Sequence, residues 1–158
     1  MLDRIFPRAI DNRFPGHPLA LWLFVPLVLF RLVIGFNSTF NAASVATGAD
    51  GIPLNTFGPA GEAEAIALFA LLGLYALCIA LLCALALVRY RAMIPMLYLL
   101  LMVQLIGSRT LALVHPTVHA GAATIGSSGV PIGTIVSYCV MAMTVLGFVL
   151  SLIGRRLQ

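Results

Sequence analysis

The sequence predicts an all-α membrane protein in which four transmembrane helices form one bundle. Of its 158 residues, 61% are hydrophobic and 9% are charged, which gives a mean hydropathy of +1.08. An ordinary soluble domain carries roughly a quarter charged residues, so this chain lacks the charge that a water-exposed surface needs. The composition excludes a soluble globular enzyme. It also excludes a disordered chain, which would be poor in apolar residues.

Four apolar stretches are each long enough to cross the hydrocarbon core of a bilayer as a helix, which takes about 20 residues. In lipid each must be helical, because a lone strand leaves its backbone groups without hydrogen-bond partners. The alternating pattern of a β-barrel strand is not seen in them. We therefore predict a single domain over residues 1–158, with spans over 19–40, 62–88, 93–114 and 130–153 and outer loops over 41–61 and 115–129.

The arginines outside the spans lie at one side of the predicted bundle. They precede the first span, separate the second from the third, and follow the fourth, whereas the only full charge we assign to the outer loops is Asp50. The positive-inside rule predicts a multi-pass protein of the inner membrane with both termini in the cytoplasm. All basic residues are arginine, which favours a GC-rich bacterial source. These charges fit lipid headgroups and insertion topology better than a nucleic-acid partner. The arginines outside the spans are Arg4, Arg8, Arg13, Arg89, Arg91, Arg155 and Arg156.

Small residues recur along the second and fourth spans at spacings that let membrane helices approach closely. We interpret these faces as the interior of the bundle or as a subunit interface, with a ligand cleft as the alternative. The helix-packing residues that we predict are Gly73, Ala80, Ala84, Gly147 and Ser151.

Two arginines lie inside apolar spans. Arg31 lies twelve residues past Leu19, about 18 Å into the core, and Arg109 lies about 24 Å past Met93. A charged side chain near the bilayer centre costs at least ~2.5–3.5 kcal/mol, so each should face the bundle interior or water and meet an acceptor. We expect these arginines to form a polar cluster in the outer half of the membrane with Glu62, Asn37, Asn41, Gln104 and Ser108.

Two interpretations of this cluster remain open. In the structural one, Arg31 pairs with Glu62 or with outer-loop carbonyls and ties the loop onto the bundle. In the functional one, Arg31 and Arg109 form a cationic pocket for an anionic headgroup, a carboxylate or a quinone carbonyl. We predict no resident cofactor, and a bound lipid or quinone is the ligand that the second interpretation implies.

Residues that could carry catalysis or hold a metal do not form a recognisable set. Three cysteines lie in spans and form no CxxC pair, so we interpret them as packing residues. They are Cys78, Cys83 and Cys139. His115 and His119 have the spacing of a helical metal pair, but a proline separates them and no acidic residue or cysteine is near in sequence. We predict no catalytic residue and no metal site, and the sequence favours a non-enzymatic protein.

Several features resemble the DoxX-like four-helix membrane proteins. Residues 31–35 read Arg-Leu-Val-Ile-Gly, 51–54 read Gly-Ile-Pro-Leu, and Glu62 and Glu64 precede the run LLGLYAL. The resemblance covers residues 30–91, where RYR ends it, but Asn37 and Asn41 replace the expected glycine and lysine. It implies a four-helix bundle tied to membrane redox or stress functions, with functional weight on Arg31 and an outer cavity. It assigns no catalytic residue.

From these patterns we predict a small scaffold or accessory subunit, packed laterally in a membrane complex or a homo-oligomer. Its partners would be the lipid bilayer and another protein chain. The alternative is a binder or transporter of a lipid-like, quinone-like or anionic small molecule, held in a polar cavity in the outer half of the bundle.

Overall fold

A computed structural model of the protein describes residues 5–7, 11–115 and 132–153, with side chains from residue 135 onward in the last segment. Over these residues the chain is helical and has no strand. Four of its helices are long and apolar enough to cross a membrane, which confirms the predicted all-α class and the four candidate spans. The predicted loop over 115–129 beyond His115, together with His119, Arg4, Arg8, Arg155 and Arg156, lies outside the described residues.

The four spans agree with their predicted bounds to within a few residues. They are helices α1 (Pro18–Phe40), α3 (Gly58–Arg89), α4 (Ile94–Val114) and α5 (Ile132–Leu152), and a shorter helix, α2 (Ala42–Gly48), lies in the first predicted loop. The second span begins four residues earlier than predicted, because Gly58 turns the chain at a φ of 71° and Pro59 suits the first turn of a helix.

The four spans form a bundle with one loosely packed side. Helix α1 packs against α3 and α5, and α4 packs against α5. Helices α3 and α4 are joined by the short turn Arg91–Met93, yet they make few contacts with each other. The side of the bundle between these two helices is therefore loosely packed.

One end of the bundle, which we call the arginine end, carries Arg13, Arg89 and Arg91. The backbone N–H of His17 donates to the carbonyl of Leu150, so the start of α1 lies beside the end of α5. The N–H of Ala92 donates to the carbonyl of Asp11, which brings the α3–α4 turn to the same place. The opposite end, the loop end, carries α2 and residues 49–57.

The core is densest toward the arginine end. Tyr98 of α4 is fully buried there, and its ring meets that of Phe24 edge-on at a centroid distance of 4.9 Å. Its hydroxyl donates a 2.7 Å hydrogen bond to the carbonyl oxygen of Ala20. A buried hydroxyl needs such a partner, because an unpaired polar group in an apolar core is costly. Around this pair Leu27, Ile94, Leu97 and Leu101 are also buried.

The five small residues predicted to pack helices all contact other parts of this chain. Gly73 meets the backbone of Ser38 and Thr39 in α1, and Gly147 meets the ring of Tyr98. Ala80 is fully buried, and Ala84 packs against the core cluster. Ser151 is buried beside Gly16. These residues therefore bring together the helices of one chain.

Large apolar side chains cover the outside of the bundle. The most exposed of them are Leu113 at 84%, and Trp22 and Val88 at 73% each. Such a surface is unfavourable in water and favourable against acyl chains. Together with the four apolar helices, it suggests a multi-pass membrane protein in contact with a lipid bilayer.

Candidate ligand cavity

A cavity of about 260 Å³ lies in the loop-end half of the bundle. Residues from all four spans and from the α2 region line it, and it is partly open to the surroundings of the bundle. Its walls are mostly apolar, and its polar lining residues are Arg31, Ser38, Asp50 and Ser137. A mainly apolar pocket with a few converging polar groups is the usual form of a small-molecule site.

The helices explain why this space is left open. On α1, Arg31, Ile34 and Ser38 follow the three- and four-residue spacing that places side chains on one helix face. Across from them α3 offers only the small side chain of Ala76. This small side chain leaves room opposite the α1 face.

The loop between α1 and α3 forms part of the cavity wall through α2 and the turn after it. Ala42 and Ala46 are the buried face of this short helix. The N–H of Asp50 donates to the carbonyl of Val45, and the N–H of Ile52 donates to that of Ala46, so the chain folds back at once. This turn places Asp50 in the cavity lining. The predicted loop over 41–61 thus contains a short helix that the sequence analysis did not predict.

Arg31 is the charged residue of α1 in the cavity lining, and only part of its guanidinium is engaged. Its Nη1 donates a 2.7 Å hydrogen bond to Oε1 of Gln104 on α4. Its Nε is buried and has no hydrogen-bond partner among the residues that the structure describes. A guanidinium has five N–H donors, so this side chain retains donors for a further acceptor.

The helix register separates Arg31 from Glu62 and corrects the pairing that the sequence suggested. Gly35 packs against Leu77 and Gly73 packs against Ser38, so Arg31 lies level with Ala80. Glu62 lies eighteen residues before Ala80 on α3, which is about 27 Å along the helix axis. It is therefore beyond the reach of the Arg31 side chain. The reason is the length of α3, whose first turns extend toward the outer loop.

Arg109 occupies a different place from Arg31. Its guanidinium lies over the ring of Tyr138, 5.0 Å from the ring centroid, which is a cation–π contact. The two residues line a separate groove between α4 and α5, with Ile106 and Met141. The structure thus does not combine Arg31 and Arg109 in one cationic pocket.

The other members of the predicted cluster form hydrogen bonds near their own positions. Asn37 Nδ2 donates to the carbonyl of Val33 at 2.9 Å, and Asn41 Nδ2 donates to Asn37 Oδ1 at 3.1 Å. The Ser108 hydroxyl donates to the carbonyl of Leu105 at 2.9 Å. Of the seven residues that we grouped, the structure connects Arg31 with Gln104 and Asn37 with Asn41.

Besides Arg31, three polar residues line the cavity. Ser38 lies seven residues after Arg31, a spacing that places both on one face of α1. Ser137 and Asp50 come from α5 and from the turn after α2, and no local spacing links them to Arg31. The cavity suits the binding of a molecule that accepts hydrogen bonds.

No protein-family model, no curated protein and no solved structure matches this chain.

Proposed function

We propose that this protein binds an amphipathic small molecule in the loop-end cavity, with the head of the molecule accepting hydrogen bonds from Arg31. The observation that carries the proposal is that Arg31 lines the cavity while, among the described residues, a single hydrogen bond to Gln104 engages its guanidinium. An arginine inside a membrane span is costly unless its donors meet acceptors. A bound head with an oxygen at this place would offset that cost.

The size of the cavity supports a ligand that is only partly enclosed. Pockets for complete drug-sized ligands run from about 300 to 1,000 Å³, and this cavity has about 260 Å³. It therefore accommodates a head and the first part of a tail. The loosely packed side between α3 and α4 gives an apolar tail a route toward the acyl chains of the bilayer.

The chemistry of the head follows from Arg31 and its neighbour. Gln104 is uncharged, so its hydrogen bond orients the guanidinium without neutralising it. A carboxylate or a quinone carbonyl provides the planar oxygen acceptor that a guanidinium favours. Both heads share this chemistry, and lipid-like and quinone-like molecules carry them on apolar tails.

Native mass spectrometry from a mild detergent tests this proposal, with oleate and a short-tailed quinone as probes. The wild-type protein should retain at least one of the two, and the retained probe identifies the head. Arg31→Leu should weaken retention about tenfold, because it removes a hydrogen bond from a charged donor. Arg109→Leu is the matched control, since it removes an arginine that does not line the cavity, and it should retain the probe. Equal retention by the Arg31→Leu variant would refute the proposal.

The scaffold or accessory-subunit function stays a prediction, supported by composition alone. The small-residue faces that we considered for a subunit contact pack inside the chain, so a lateral contact would use the exposed large apolar side chains. Purification in mild detergent tests this function. A larger protein assembly or a homo-oligomer is the expected result, and a monomer at every detergent concentration would contradict it.

We further propose a bacterial inner membrane, with the arginine end in the cytoplasm, and a DoxX-like role in membrane redox or stress functions. Arg13, Arg89 and Arg91 at one end of the bundle support the orientation. The position of Arg31 in the lining of a cavity supports the weight that the resemblance places on this residue.

A further inference from the structure

Two grooves adjoin on the surface of the arginine end and share Val88. The first is apolar and lies between α1 and α3, where Leu21, Trp22 and Leu87 line it and Arg91 stands at its margin. The second is polar and is lined by Asn12, Arg89 and Tyr90. Their volumes are about 380 and 410 Å³. An apolar groove within the span thus continues into a cationic groove at the end of the helix.

The two arginines give this surface a positive charge. Arg89 is exposed in the last turn of α3, and Arg91 follows in the turn to α4. The Nε of Arg91 donates a 3.1 Å hydrogen bond to the carbonyl of Leu87, which holds the guanidinium against the end of α3. Among the described residues that line the two grooves there is no carboxylate. The carboxylate of nearby Asp11 accepts the backbone N–H of Arg13 at 3.1 Å.

We propose that this paired groove binds an anionic phospholipid of the leaflet at the arginine end. Arg89 and Arg91 would hold the phosphate, and an acyl chain would lie along Trp22 and Leu21. Along the helix axis the surface is cationic at the helix end and apolar within the span. A phospholipid has its phosphate and its acyl chain in the same order. Basic groups between transmembrane helices at such a surface are suited to anionic headgroups.

Trp22 provides a direct readout, because it is the only tryptophan in the chain and is 73% exposed. The protein would be reconstituted in phosphatidylcholine vesicles that contain a minor fraction of lipid with brominated acyl chains, which quench tryptophan on contact. The brominated lipid is either phosphatidylglycerol, which is anionic, or phosphatidylcholine, which has no net charge. We expect stronger quenching of Trp22 by the brominated phosphatidylglycerol at equal mole fraction.

Variants then assign the preference to the two arginines. Each arginine near an anionic surface contributes about fivefold to binding, so Arg89→Gln and Arg91→Gln should each lower the relative binding constant for phosphatidylglycerol about fivefold. Arg13→Gln is the matched control, because Arg13 is at the same end but does not line the grooves, and it should retain the preference. Quenching by brominated phosphatidylcholine reports whether each variant is inserted.

Salt provides a test on the wild-type protein. Raising the ionic strength from about 0.1 M to about 1 M shortens the screening length from roughly 10 Å to 3 Å, so the preference should fall. Equal quenching of the wild type by the two brominated lipids would overturn the proposal. A preference that survives both arginine substitutions would overturn it as well. The cavity at the loop end is separate from this surface, so the result is independent of the function proposed above.

Discussion

Arg31 and Gln104 are joined by a 2.7 Å hydrogen bond that crosses the bundle from α1 to α4. The main chains of these two helices make little direct contact, and the bond from Tyr98 to the carbonyl of Ala20 connects them nearer the arginine end. Two polar contacts thus link a pair of helices that lie diagonally across the bundle. The contact at Tyr98 is enclosed in a dense core, whereas the contact at Arg31 borders the cavity.

Replacing Gln104 with leucine should lower the stability of the bundle. The substitution leaves the Nη1 of Arg31 without its acceptor, and interhelical hydrogen bonds in membranes contribute about 1–2 kcal/mol in model peptides. Thermal unfolding in detergent measures the loss. Ser108→Ala is the control on the same helix, because Ser108 donates only to the carbonyl of Leu105 in its own helix. A melting temperature of Gln104→Leu equal to that of the wild type would contradict the structural role of this bond.

Replacing Gly73 with alanine should push α1 and α3 apart. A Cβ atom at Gly73 would lie 2.5 Å from the carbonyl carbon of Ser38 and 2.6 Å from the backbone nitrogen of Thr39, where no side chain can yield. Overpacking of this kind costs about 1–3 kcal/mol. The matched control is Gly107→Ala on α4, where a Cβ atom would meet nothing within 4 Å. That control should be neutral or gain up to about 1 kcal/mol of helix propensity.

The comparison of the two alanine variants separates packing from propensity. Both replace a glycine in a transmembrane helix, so both gain the same helix preference. Unfolding in detergent should show Gly73→Ala below the wild type and Gly107→Ala at or above it. If the two variants shift in the same direction by the same amount, α1 and α3 do not approach as closely as the structure places them.

Gly147 and Tyr98 should show a strong energetic coupling. A Cβ atom at Gly147 would collide with the outer end of the Tyr98 ring, so Gly147→Ala should be destabilising in the wild type. In the Tyr98→Leu background the colliding atoms are gone, and the same substitution should cost little. A double-mutant cycle on the free energy of unfolding should give an interaction energy within the range of about 0.5–3 kcal/mol that contacting residues show. Additive effects would show that the two residues are not in contact.

The orientation of the bundle can be checked with single cysteines introduced at Asn12 and Asn55. Asn12 lies at the arginine end and Asn55 lies in the outer loop, so the positive-inside rule places them on opposite sides of the membrane. In intact spheroplasts an impermeant maleimide should label Asn55→Cys, and it should label Asn12→Cys only after lysis. The native protein is the control for Cys78, Cys83 and Cys139, which all lie within spans. The reverse pattern of labelling would contradict the predicted orientation.

The bounds of α3 could be predicted from the sequence, whereas the partner of Arg31 could not. The apolar run before Arg89 predicted a span, and its bounds needed correction only where Gly58 and Pro59 begin the helix earlier. The sequence did not predict which residue pairs with Arg31, because Glu62 and Gln104 both belong to the predicted polar cluster. Choosing between them requires the register of α1 against α3, which depends on the close approach at Gly73.

The sequence by itself determined the number of candidate spans, their approximate ends and the placement of the arginines outside the spans at one side of the bundle. Hydropathy over about 20 residues is a local property, so no tertiary contact is needed to read it. Only the tertiary structure decided that Arg31 meets Gln104, that Arg109 lies over Tyr138, and that a cavity remains among the four spans. The physical reason is that apolar helix faces are alike to one another, so rotation and register follow from packing at a few small residues rather than from composition.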